Sequence, residues 1–406
     1  MAIAVAAIVG IAMADGLVAH RVLHAQDATV ERRGADSVSH AFRQSLTVTP
    51  THRAITVGDV HVTERVAPFS WRLTGPRFGL RLSGTPVQLT TPGERMNAMI
   101  PTSLRADYML RPGDTLSVYG RSGSSPSSLN SLKVNAVGAA GTSVVDLSSQ
   151  SLGLPARAGV RTVFSFPVGD LVLGVSGALE YEPAPGGDGA TYWQGTTGRG
   201  ALSLRALQNE RTYIVSVDFA YSSADSLNGR NQFPGGGSAA IAGSVSGALG
   251  GSAGLWFSGD AFYARPFSNT RTDQPTRLIP SGDLTGISGV MLFDTGALTW
   301  SPSLSLLRES SSATVDVLSG NVRTRSALTG SAWSVAGGLS FDIPLGRIFT
   351  LSPEAGVVSG SVSSRLAQTS GVVVGRRGRT INRTTVDGVT SGIRGWWSGV
   401  GVSAKF

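Results

Sequence analysis

A period of two runs through most of this chain. Across residues 211–222, Tyr213, Val215, Val217, Phe219 and Tyr221 share one side, and Thr212, Ser216, Asp218 and Ala220 the other. Residues 171–182, 298–306 and 333–343 alternate in the same way. Apolar–polar alternation at this period predicts β-strands with one covered face. Runs of ten residues or more exceed the about five or six usual in soluble sheets.

The connections predicted between these strands come in two kinds. Short ones carry turn chemistry: residues 111–114 (RPGD), 167–170 (PVGD), 208–210 (QNE), 250–251 (GG), 294–296 (DTG) and 344–347 (PLGR). Gly permits positive φ, Pro presets φ, and Asp or Asn closes local hydrogen bonds. Long ones, rich in Gly, Ser, Arg and Asn, fall at 123–159, 183–197, 223–237, 266–281, 307–330 and 361–391. The strict alternation of short and long predicts one trimmed end and one elaborated end. Hairpins at 103–123, 160–182, 197–222, 238–265, 282–307 and 331–360, a strand near 77–84 and a terminal strand at 391–406 give about fourteen strands, within a range of 12–16.

The two faces differ in size as well as polarity. One carries Leu, Val, Tyr, Phe and Trp; the other is Ser, Thr, Gly and Ala with isolated charges. A soluble β-sandwich would also alternate, but with more than the 15 % charged residues found here. Large apolar groups facing lipid and small polar ones facing inward describe a membrane wall. Such a wall must close, because an unpaired backbone group in hydrocarbon costs several kcal/mol. The expected fold is therefore all-β: a transmembrane, antiparallel, up-and-down β-barrel over residues 70–406, with short periplasmic turns and long extracellular loops.

The chain finishes on Trp396, Val400, Val402, Ala404 and Phe406 in alternation, interrupted at Ser398. This stretch resembles the terminal assembly signal of bacterial outer-membrane β-barrels, which end in Phe behind alternating hydrophobics. The resemblance implies an exported protein in a Gram-negative outer membrane, surrounded by lipid and lipopolysaccharide and recognised by the barrel-assembly machinery. The start agrees with export. Residues 2–14 are an apolar run of 13, too short to span a membrane and suited to a signal peptide within 1–25, cleaved after Ala14 or Ala25. Residues 26–69, with Arg32, Arg33, Asp36, Arg43, Arg53 and Glu64 and a weak strand pattern at 54–62, are expected to form a periplasmic segment or a small plug.

Composition narrows the chemistry. Cysteine is absent, which removes disulfides and thiolate sites. The net charge of +8 is almost all arginine, Lys133 and Lys405 being the only lysines. The arginines are scattered singly apart from Arg32–Arg33 and the cluster of Arg376, Arg377 and Arg379, so no nucleic-acid surface is expected. All five histidines, His20, His24, His40, His52 and His61, precede residue 70. A hydrolase on the barrel rim that uses His as base is thereby disfavoured, and no catalytic residue, metal site or cofactor is expected.

What remains is the interior. Arg81, Arg105, Asp107, Arg121, Glu180, Glu182, Arg205, Asp218, Asp260 and Glu354 fall on the inward phase. They suit either a pore wall whose opposed charges select solutes or a salt-bridge network that fills a small lumen. The expected function is a passive, porin-like channel for small solutes. Two alternatives are a translocator barrel of residues 135–406 with residues 15–134 as its passenger, and a non-conducting structural or adhesive surface barrel.

Overall fold

Backbone pairing gives a closed, all-antiparallel wall. The computed structural model describes residues 42–406 apart from 93, 123–143, 145–146, 148–155, 182–191, 194–195, 209, 223–224, 228–229, 234–235, 250–253, 269–276, 320–321 and 375–378. The expected signal peptide and the Arg376–Arg377 pair lie outside the described residues.

Sixteen barrel strands follow in chain order. They are β1 (Arg43–Val48 continued by Thr51–Val57), β2 (Val60–Val66 continued by Phe69–Thr74), β3 (Phe78–Thr91), β4 (Glu94–Arg111), β5 (Asp114–Arg121), β6 (Arg157–Val168), β7 (Leu171–Tyr181) and β8 (Thr197–Gln208). The second half is β9 (Arg211–Ser222), β10 (Gly236–Ala248), β11 (Leu255–Ser268), β12 (Arg277–Asp294), β13 (Thr299–Ser319), β14 (Val322–Leu345), β15 (Phe349–Val374) and β16 (Arg379–Lys405). Each pairs with its sequence neighbour, and β16 closes on β1 through Val402↔Val48, Gly399↔Thr51 and Ile393↔Val57. The terminal residue takes part: Gln44 N–H donates to the Phe406 carbonyl at 3.0 Å, and Phe406 N–H to that of Gln44 at 2.9 Å. Among the described residues this wall has no open edge, so the sandwich alternative is overturned.

The tight turns form as their residues dictate. At residues 294–298, Gly296 takes φ +81° and its N–H donates to Asp294 Oδ1 at 2.9 Å. The Thr295 hydroxyl donates to the Leu298 carbonyl at 2.9 Å. Phe293 and Trp300 stack across this hairpin at 4.0 Å. At the turn before β5, Gly113 sits at φ +90°, and Asp114 is held by Arg111 and by the Ser165 N–H at 2.8 Å.

Three expectations are corrected. The barrel begins at Arg43, not near residue 70: most of the segment assigned to a tail or plug is β1 and β2, which raises the count from about fourteen to sixteen. The translocator limits at 135–406 also fail, because β1–β5 complete the same wall and a barrel cut there would expose two edges. Finally, the described residues of 307–330 and 361–391 are strand rather than loop. Their Ser/Thr/Val content sustains β structure, and β13–β16 continue for 21, 24, 26 and 27 residues. A tilted strand needs about 9–11 residues to cross a membrane, so this side of the wall stands far above the bilayer.

Outward phases carry the expected apolar belt. Leu202, Leu204, Tyr213, Val215, Phe219, Tyr221, Leu304 and Val357 are all exposed. A closed wall with such a belt is the spanning solution of outer membranes, in agreement with the expected location.

Candidate functional site

The barrel interior has two unlike walls. On β4–β9 it is charged. Arg105 Nε lies 2.6 Å from Asp107 Oδ1, while the fully buried Ser117 donates to the same oxygen at 2.6 Å. Arg105 also donates to Ser117 Oγ at 3.2 Å. These residues meet because β4 and β5 pair Asp107 with Ser117 and Arg105 with Tyr119, all on one face.

A second cluster centres on Glu180 of β7. Its carboxylate accepts from the Tyr119 hydroxyl at 2.8 Å, Arg157 at 3.4 Å and Arg199 at 3.2 Å. Arg161 stands opposite Ser117 in register, within electrostatic reach of Arg105, Asp107, Tyr119 and Asp218. Asp218 accepts from Ser216 at 3.4 Å. The result is a fixed array of guanidinium and carboxylate groups along one side of the lumen.

The facing wall is apolar. Ile55, Val57, Val62 and Leu89 of β1–β3 form one buried cluster with Ala332 of β14 and Ile393 of β16, and Leu307, Val358 and Val362 pack against it. Two residues from the connection between β5 and β6 complete it: Val144 and Leu147, 2 % and 5 % exposed. Ser334 donates its hydroxyl to the Val144 carbonyl at 2.6 Å. Thus Val144 and Leu147 dock on the apolar wall. Within the apolar wall sits the fully buried Glu64, paired with Arg53 at 3.7 Å.

The residues picked out by phase are placed as follows. Arg105, Asp107, Glu180 and Asp218 belong to the charged array. Arg81 lies between Arg72 and Arg105 in a lateral inward row. Arg121 pairs in register with Arg157. Asp260 accepts from Ser288 at 2.5 Å, and Glu354 from Thr51 at 3.3 Å. Both of these lie away from the main cluster. Arg205 shares the inward phase between Val172 and Ile214. Glu182 lies outside the described residues.

Sequence reasoning overlooked Arg72, Arg157, Arg161 and Arg199. The same phase rule could have found Arg157 and Arg161, because Val160 and Phe166 on the opposite phase are exposed to lipid. The apolar wall carried no comparable signal, since its partners come together only through closure of β16 on β1. Of the terminal motif, Trp396, Val400, Val402 and Phe406 are exposed outward, whereas Ala404 is buried where it pairs with Leu46 and Phe349.

The histidines of β1 and β2 lie on the outer surface rather than before the barrel. His61 bonds Thr56 at 3.0 Å and Thr63 at 3.3 Å. His52 accepts from Arg65 at 3.4 Å and packs 5.1 Å from Trp396. Among the described residues, no group of three His, Asp or Glu could hold a metal ion.

No family model and no curated protein match this chain. Among solved structures it is similar to OmpT, an outer membrane protein of Vibrio cholerae, at 9 % identity and TM-score 0.36 over 92 % of this chain and 100 % of that one. It is also similar to OccAB3 of Acinetobacter baumannii, at 9 % identity and TM-score 0.35 over 90 % and 99 %. For OccK5 of Pseudomonas aeruginosa the values are 9 % and 0.36 over 90 % and 98 %. All three likenesses are distant.

Proposed function

We propose that this barrel is a passive channel for small, preferentially anionic solutes. The observation that carries the proposal is the two-sided lumen. A dry apolar wall, thickened by Val144 and Leu147, takes up one side and leaves the charged array of β4–β9 as the wettable lane. Inward arginines outnumber carboxylates along that lane: Arg105, Arg157, Arg161 and Arg199 face Asp107, Glu180 and Asp218. Rings and rows of fixed cations favour anions by field and by transient pairing. Solutes are not held tightly, because each guanidinium already has a carboxylate neighbour to return to.

The test is conductance of the purified protein in a planar bilayer. Discrete steps are expected, with a reversal potential displaced toward the anion under a salt gradient. Arg161→Glu, which changes only one lane charge, is expected to move that potential toward the cation. A sealed bilayer would overturn the channel and favour a structural barrel. The terminal strand supports a second, smaller reading: with Trp396, Val400, Val402 and Phe406 displayed outward, it serves as the signal for the barrel-assembly machinery. Phe406→Ser should then slow membrane insertion in cells while leaving refolding in detergent unchanged.

A further inference from the structure

A line of prolines crosses the wall near the seam. Pro353 of β15 pairs with Val400 of β16, whose N–H donates to the Pro50 carbonyl at 3.0 Å. Thr49 N–H donates to Pro68 at 2.9 Å, and Ala67 N–H to Pro86 at 3.1 Å. Proline cannot donate to a ladder, so β1 and β2 are interrupted here while single bonds keep the wall closed. Beside this interruption lies a groove of about 680 Å³.

The groove lies on the outside. Pro50, Ala67, Pro86 and Val400 line it, with Thr51, Val66, Val87 and Gly399 beneath. Polarity changes across it. On the side toward the chain termini the outer surface is apolar, with Leu46, Val402 and Phe406 exposed. On the other side the polar His52, Arg65, Gln88 and Asn97 stand at the rim, with the exposed ring of Trp396 packed against His52. Gln88 and Asn97 bond each other at 2.9 Å. No acidic residue lines the groove. An apolar cleft at the upper limit of the lipid belt, with a cationic rim above, fits an amphipathic molecule whose chain lies in the bilayer and whose anion sits at its surface.

We propose that this groove binds a phosphorylated glycolipid of the outer leaflet, one acyl chain against Pro50, Ala67, Pro86 and Val400 and a phosphate on Arg65. Guanidinium pairs with phosphate in a planar, bidentate manner, and His52 beside it offers a second polar contact. The inference rests on the barrel's orientation in an outer membrane and not on conduction, so either can fail without the other.

Native mass spectrometry of the full chain in detergent micelles tests it, with diphosphorylated lipid A, its dephosphorylated form and inorganic phosphate as probes. Heat-modifiable migration confirms that each variant is folded. Wild type should hold diphosphorylated lipid A at least about tenfold more tightly than Arg65→Glu or the groove-filling Ala67→Trp, a contrast within reach of one surface charge reversal. Inorganic phosphate in excess should not displace it, and conductance should be unchanged in both variants. If Ala67→Trp does not fold, Gln88→Trp blocks the groove from its rim. Equal retention by the folded variants, equal retention of the dephosphorylated lipid, or displacement by phosphate alone would overturn the proposal. So would a dimer that buries Arg65.

Discussion

Two hairpins of the same barrel wear opposite coats. In β8–β9, the outward residues are Leu202, Leu204, Tyr213, Val215 and Phe219, and the inward ones are mostly small or charged, Ile214 being an exception. In the far half of β1–β2, Ile55, Val57, Val62 and Val66 point inward and are buried, while His61 and Arg65 point outward and are exposed. Both alternate with a period of two. What differs is the medium against each face: lipid outside and water inside for the first, water outside and protein inside for the second. Alternation therefore reports a strand, but not which face is wet.

The largest effect expected from this contrast comes from placing a charge on each coat. Ile393 is 0 % exposed at the centre of the apolar wall. Ile393→Asp should prevent a stable native barrel, because an unpaired buried carboxylate costs far more than the about 5–15 kcal/mol that holds a domain together unless it is neutralised. Loss of heat-modifiable migration after refolding would register this. On the lipid coat the penalty is smaller: Val215→Arg should cost about 2–4 kcal/mol if it lies near the bilayer midplane, read as a lower urea midpoint with the barrel still forming. If the two were equally damaging, the inner wall would be wet.

Next comes the buried pair. Removing Arg53 leaves the fully buried Glu64 without one of its partners, and breaking such a pair costs about 3–5 kcal/mol. Arg53→Met should therefore destabilise the β1–β2 region markedly, and Arg53→Met with Glu64→Met should recover most of the loss. Protection of the β1–β2 amides in hydrogen exchange measures both.

The same contrast explains what the sequence made legible. For β6–β16 the lipid imposes one rule on the stretches that cross it, large apolar out and mostly small or polar in, so tight turns and phase suffice; the inward Leu307, Val358, Val362 and Ile393 are exceptions. At β1–β2 that rule reverses within a single strand, Pro50 and Pro68 interrupt the run, and charges such as Arg53 and Glu64 stand among the buried valines. A pattern reader sees a weak, charged segment and sets it aside. The candidate site divides similarly. Arg105, Asp107, Glu180 and Asp218 were visible from phase alone, since a charge on a lipid-backed strand has only one place to go. The apolar wall was not, because Val62 and Ile393 are more than three hundred residues apart in sequence and become neighbours only through closure.

A subtler consequence concerns Val144 and Leu147. Their side chains bury apolar area on one wall, and Ser334 holds the Val144 carbonyl. Val144→Ser with Leu147→Ser should loosen this docking without opening the barrel, since the ladder bonds of all sixteen strands are untouched. Single-channel conductance should rise, and the urea midpoint should fall by less than for Arg53→Met. Unchanged conductance would mean that the segment docks without narrowing the lane.

The smallest effect tests whether the far outer face of β3–β4 is truly in water. Gln88 and Asn97 bond each other across that face at 2.9 Å in an exposed position. In water such a bond exchanges with solvent at little net cost, and its loss should change stability by no more than about 0.5 kcal/mol. Were the same pair immersed in hydrocarbon, Asn97→Ala would strand the Gln88 amide and cost about 1–3 kcal/mol. Urea titration of Asn97→Ala in lipid vesicles distinguishes the two. A near-neutral result places the outer face beyond the bilayer, where an inverted coat is stable. A cost of kilocalories would put lipid against His61, Arg65 and Gln88, and the inversion of β1–β2 would lose its physical reason.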